Sequence, residues 1–172
     1  MAAIATCIVP CDPRVRLRGA EAEDEPFLRD LFRTVKGAQL AAGGLPPGML
    51  DLVLAQQYGA QTAGYAAQFP QAQSLLVLED GAPVGRLLLD CTAARWHVID
   101  IALAPAARKR GIGRAIMTAV IAAARGEGTR AVTLTVVAAN EGARRFYGRL
   151  GFAEEGADPS ASYVAMQIVM GG

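Results

Sequence analysis

Between His97 and Val137 the sequence switches period twice around one turn, and that switch limits the fold more than any other stretch. His97 to Leu103 reads as a strand, Gly111 to Arg125 as a helix, and the Val- and Thr-rich run Ala131 to Val137 as a second strand. The helix keeps Ile112, Ala115, Ile116, Ala119, Val120 and Ala123 on one face, and Gly126 and Gly128 stop it. A helix between two strands of one sheet makes them parallel, joined by a right-handed crossover. The turn into the helix, Arg108-Lys109-Arg110-Gly111-Ile112-Gly113-Arg114-Ala115, gathers cations beside two glycines. Glycine lets backbone N–H groups approach a ligand closely, and a helix N-terminus carries partial positive charge. Cations there are unfavourable without an anion, so the turn suits a phosphate-bearing ligand.

Around this unit the remaining elements fall in order. Val15 to Arg18 alternates as a half-buried strand closed by Gly19, and Glu21 to Lys36 has helical spacing with acids early and Lys36-Gly37 at its end. Ala38 to Pro46 is loop-like, and Met49 to Phe69 reads as one helix or two broken near Gly59 or Gly64. Ser74–Glu79 and Pro83–Asp90 flank Asp80-Gly81, the signature of a hairpin, and the short link to Trp96–Leu103 makes that strand antiparallel to its predecessor. Asn140 is a good N-cap for a helix carrying Ala143, Phe146, Tyr147 and Leu150, with Gly151 after it. Two strands close the chain, Phe152–Glu155 and Ser162–Val169. The order predicts an α+β fold, one mixed sheet with helices on its faces, over 14–172, with residues 1–13 as a tail or edge appendage.

Composition excludes several functions. The 172 residues suit one domain, and a net charge of +1 with interspersed acids and bases gives no global footprint for nucleic acid or membrane. Cys7, Cys11 and Cys91 form no paired motif and His97 is the only histidine, so no metal site is expected. No apolar run approaches the roughly 18 residues of a membrane span. Residues 1–10 lack the features of a signal peptide, so the expected location is the cytoplasm.

Two nucleotide motifs fail at the turn. A dinucleotide fingerprint needs a third glycine where Ile116 stands, and no stretch supplies the P-loop pattern. Arg108-x-x-Gly111-x-Gly113 instead resembles the R/Q-x-x-G-x-G/A signature of the GNAT superfamily of acyl-CoA-dependent N-acetyltransferases. Asp100-Ile101-Ala102-Leu103-Ala104-Pro105 is similar to that family's preceding strand, and Asn140 to Phe152 to its following helix. The likeness covers about residues 74–169.

The resemblance implies a mostly antiparallel twisted sheet of about seven strands, about four helices on both faces, and splayed central strands. It implies an N-acetyltransferase that moves an acetyl group from acetyl-CoA to a primary amine by direct attack, without metal. Amides from Arg108, Lys109, Arg110, Gly111, Ile112 and Gly113 would cradle the pyrophosphate, with the Arg108, Lys109, Arg110 and Arg114 side chains adding charge. Pantetheine would pair with backbone near Ile101 and Leu103, beside Asn140, with Tyr147 toward the sulfur. The Leu103 N–H would hold the oxyanion, Tyr147 would protonate the thiolate, and Asp100 is the first candidate base.

Other readings stand beside these. Tyr147 also fits a core aromatic, Asn140 a plain cap, and Asp100 the partner of a nearby arginine. Ile99 occupies the place where some relatives carry a glutamate, which leaves the base open. If alternation holds, His97 shares a face with Ile99, Ile101 and Leu103 and is a packed or half-exposed histidine. The acceptor would lie between residues 22–69, the strand around Arg86 and the Asp158–Tyr163 connection, with Arg33, Tyr58, Tyr65 and Gln68 as polar candidates. Gly156–Ser162 is a further candidate substrate-side loop. Expected partners are a small-molecule or peptide amine and, as in many relatives, a second copy in a homodimer. A CoA-binding regulatory module without turnover is the alternative function.

Overall fold

The computed structural model describes residues 7–41, 44, 46–156 and 160–171. Its elements are β1 (Val15–Gly19), α1 (Glu25–Ala41), α2 (Pro47–Gln68), β2 (Gln73–Glu79), β3 (Ala82–Asp90), β4 (Arg95–Leu103), α3 (Ile112–Gly126), β5 (Ala131–Val137), α4 (Glu141–Arg149), β6 (Ala153–Glu155) and β7 (Tyr163–Val169). Seven strands form one sheet in the order β1-β2-β3-β4-β5-β7-β6. Every neighbouring pair is antiparallel except β4–β5, which the α3 crossover makes parallel. The hairpin between β2 and β3 turns on Asp80 (φ 50°) and Gly81 (φ 84°), both left-handed as such a tight turn demands.

One face of the sheet carries the main core. Leu75, Val77, Leu87, Leu89, Trp96 and Val98 pack with Ile112, Ile116, Met117 and Val120 of α3 and Tyr147 of α4. Burial on α3 is wider than the single predicted face, since Ile121 and Ala124 are also buried. The opposite face is covered by the α1–α2 pair over β3 and β4, with Leu28, Leu31, Leu54 and Tyr58 inside.

A local stop signal was overruled at α1, and of the two readings of α2 the single helix holds. The predicted stop at Lys36-Gly37 does not end α1, which takes in Ala38 to Ala41 from the predicted loop; residues 42, 43 and 45 lie outside the described ones. Gly37 faces Leu54, where an added Cβ would sit 3.8 Å from Leu54 Cδ1, so packing against α2 carries the helix through. Nor is α2 broken at Gly59 or Gly64, because glycine weakens a helix by only about 1 kcal/mol and Leu54 and Tyr58 anchor this one. Residues 1–6 of the predicted tail lie outside the described ones; Ile8 is buried, and Cys7 and Val9 line a groove with Ala119 and Ala123 of α3.

Strict alternation along β4 is the expectation that fails. Leu89 pairs with Val98 but Leu88 pairs with Asp100, so Ile99 is an extra residue in a β-bulge. The bulge returns Ile101 and Leu103 to the face of Trp96 and Val98, and leaves His97 on the face of Asp100 instead.

Candidate active site

Parallel pairing of β4 and β5 is confined to Arg95–Val98 against Ala131–Leu134. Past those four pairs β4 continues to Leu103 and β5 to Val137 without hydrogen bonding to each other. A cleft of about 860 Å³ opens there. Its floor is Ile99 to Leu103, one wall is α1 and α2, and Thr135, Val137 and Tyr163 form the other.

The backbone of β4 is set by β3. The Ala104 N–H donates to the Val84 carbonyl at 2.8 Å. Successive backbone groups alternate between strand edges, so the Leu103 N–H is directed to the opposite edge, where β5 has parted. The Leu103 carbonyl already accepts from Arg108 Nε at 3.0 Å. This closeness requires Gly85: a Cβ there would meet the Ala102 carbonyl oxygen at 2.4 Å and Leu103 Cδ2 at 2.6 Å.

One end of the cleft is the cationic turn. After a 3-10 turn at Pro105–Ala107, Lys109 takes φ 59° and Gly111 φ 84°, two left-handed residues flanking Arg110. Turns of this kind gather successive backbone N–H groups into a concavity suited to an anion. Gly111 is the N-cap of α3 and no side chain caps the first-turn amides. Arg108, Lys109, Gly111, Gly113 and Arg114 line the cleft, as does Asn140. The Asn140 Oδ1 also accepts from the Ala143 N–H at 3.0 Å, so the residue caps α4 while facing the cleft.

Two predicted side chains, Arg110 and Tyr147, lie off the cleft, while Ile112 keeps only the backbone role expected of it. Ile112 is fully buried in the core, leaving only its backbone for a ligand. Arg110 turns out of the cleft and pairs with Glu79 at 2.9 Å. Tyr147 is buried between Phe146 and Phe152, with ring centroids 5.1 and 5.7 Å away, and Phe146 supplies the cleft wall. Burial, and secondarily the Asp100 carboxylate, pushes the Tyr147 hydroxyl up to about 12.

At the other end Asp100 lies on the floor with Oδ2 2.5 Å from Arg86 Nη2, a half-buried ion pair. Both residues line the cleft with Tyr58, Tyr65 and Tyr163. Burial raises the Tyr65 hydroxyl above its ordinary range, with Asp100 adding to the shift. Tyr58 donates to Glu25 Oε2 at 3.1 Å and packs edge-on against Phe32. Arg33 is elsewhere, paired with Asp51 on the exposed surface, and Gln68 does not reach the cleft. Of the two candidate loop segments, residues 157–159 lie outside the described ones. Phe146, Thr135 and Val137 are cleft residues that sequence reasoning missed; outward alternation on β5 was the available signal for the last two.

His97 sits off the cleft, stacked on Phe69 at 5.5 Å. The Thr133 hydroxyl donates to the Trp96 carbonyl at 3.1 Å, so it accepts from His97 Nδ1 at 2.8 Å, and the imidazole is the Nδ1–H tautomer. Burial lowers its pKa. Among the described residues no cluster of His, Cys, Asp and Glu is built to hold a metal, and no helix is long and apolar enough to cross a membrane.

A model of the acetyltransferase (GNAT) family matches residues 48–152, well over half of the chain. The chain belongs to that family. An uncharacterised N-acetyltransferase of Methanocaldococcus jannaschii is 39% identical over 85 residues, 44% of this GNAT chain and 37% of the relative. The chain thus spans little more than a third of that relative's length. The PaiA N-acetyltransferase of Thermoplasma acidophilum, solved with coenzyme A, has a TM-score of 0.68 at 19% identity, covering 90% of this chain and 98% of that one. YncA of Salmonella typhimurium, a putative acetyltransferase solved with acetyl-CoA, has a TM-score of 0.54 at 18% identity, covering 92% and 95%. These likenesses establish the GNAT fold: seven strands, four helices and central strands that part.

Proposed function

We propose that this GNAT chain is an N-acetyltransferase that transfers an acetyl group from acetyl-CoA to a primary amine in a ternary complex. One observation carries the proposal: a single cleft joins the cationic N-terminus of α3 to an aromatic and ion-paired chamber across the gap between β4 and β5. The donor set fits a diphosphate, with uncapped helix amides beside Arg108, Lys109 and Arg114. Acetyl-CoA would supply the activated acyl group as a thioester. Ile101 and Leu103 would bind its amide-bearing arm along the free edge of β4, as a replacement for the missing strand partner.

The residues of the chain divide the chemistry. The Leu103 N–H, aimed into the gap, stabilises negative charge on the carbonyl oxygen during attack. Tyr147, held protonated by its raised pKa and packed directly behind the Phe146 wall rather than on the cleft surface, gives its proton to the departing sulfur past that wall. Asp100 takes the proton of the amine, directly or through water, while Arg86 fixes its orientation. Tyr58, Tyr65 and Tyr163 enclose the acceptor, a small-molecule or peptide amine, and the cytoplasm is the working compartment.

Thiol release from acetyl-CoA with a panel of amines tests the proposal. Tyr147→Phe is expected to lower kcat about 100-fold with the KM for acetyl-CoA little changed. Binding of CoA without turnover on any amine would instead assign a regulatory CoA-binding module, and failure to bind CoA would remove both.

A further inference from the structure

Arg110 is the one cation of the turn that does not line the cleft, and its partner is unusual. Glu79 closes β2 and is 7% exposed. Its Oε1 is buried without a hydrogen bond of good geometry, although Arg110 Nη2 lies 2.9 Å away and Arg14 Nη1 3.6 Å away. Arg14 is itself held by Asp12 at 2.7 Å, and its carbonyl accepts from the Asp80 N–H at 2.8 Å. A buried carboxylate is costly unless cations face it, and at the turn end of the β2–β3 hairpin two half-exposed arginines from different parts of the chain do so.

What Arg110 holds explains why this matters. It stands between Lys109 and Gly111, both left-handed, and a left-handed lysine is a strained residue that relaxes unless its surroundings fix it. No side chain caps α3 to do so. The turn is held at its start by Arg108 on the Leu103 carbonyl and after Gly111 by buried Ile112; between them the Arg110 ion pair ties it to Glu79, 31 residues earlier in the chain.

We propose that Glu79 is a positioning residue for the donor site: through Arg110 it keeps the Lys109–Gly111 turn in the conformation that binds the donor diphosphate. The inference rests on the donor reading given above. Glu79 touches no reacting atom, and Arg110 acts through its backbone rather than as a phosphate ligand. Without the tether the competent turn becomes a minor conformer, and affinity falls by its lost population.

The test compares donors with and without the diphosphate, by calorimetry on the full chain. Glu79→Gln is expected to weaken CoA binding about tenfold, while binding of S-acetylpantetheine, which lacks the diphosphate, stays unchanged. Arg110→Met should reproduce the loss, Arg110→Lys should restore part of it, and the double variant should be no worse than either single change. The Arg110 variants alter a half-exposed side chain and decide the matter even if Glu79→Gln does not fold. Equal weakening of both donors would make the pair a general structural element, and unchanged CoA affinity would overturn the proposal. If wild-type protein binds no CoA, the donor reading itself is lost, an outcome distinct from either.

Discussion

At Gly85, β3 lets β4 come close enough for the Leu103 N–H to be set toward the cleft. Adding one methyl group would push on the Ala102 carbonyl, a backbone atom with little room to yield. Gly85→Ala is expected to cost about 1–3 kcal/mol in urea unfolding, the usual penalty for overpacking, and to lower activity as β4 shifts. Residue chemistry was legible in the sequence where backbone was concerned: Gly111 starts α3 with a left-handed φ, and Asn140 caps α4 as its type predicted. It was less legible where a long side chain chooses among partners. Arg110 and Arg108 look alike in sequence, yet one reaches Glu79, 31 residues back, and the other the nearby Leu103 carbonyl, and residue type alone does not tell the two apart.

Among the elements, β4 decides most. Its bulge at Ile99 was invisible to a period-2 reading, since no residue type at Val98–Asp100 announces an extra position. That bulge sets Asp100 beside Arg86 and separates the strand into a paired half and an open half. The paired half is pinned by His97, whose hydrogen bond to Thr133 spans β4 and β5. Burial lowers the folded His97 pKa, so the unfolded chain protonates first as pH drops through its ordinary value of about 6.5. Stability contributed by the neutral imidazole is therefore full above that pH and declines below it, until the folded form titrates too. Denaturation midpoints between pH 8 and pH 5 should fall for the wild type and fall less for His97→Gln. The helices and hairpin were readable from spacing and turn residues, whereas the continuation of α1 past Gly37 depended on Leu54 of a different helix.

For the molecule as a whole, the sheet is two antiparallel blocks, β1–β4 and β5–β7–β6, meeting along four parallel pairs. CoA bound only to the native state is expected to raise stability by about 2.7 kcal/mol at a hundred times its Kd, roughly 5–10 °C in Tm by calorimetry. No rise would mean that the folded chain does not bind it. The short meeting line has a mechanical meaning as well. Beyond its four rungs the central line is held by the shared core and α3 alone, without backbone hydrogen bonds between the blocks. An elongated ligand lying in the gap would touch both blocks and brace them across the missing rungs.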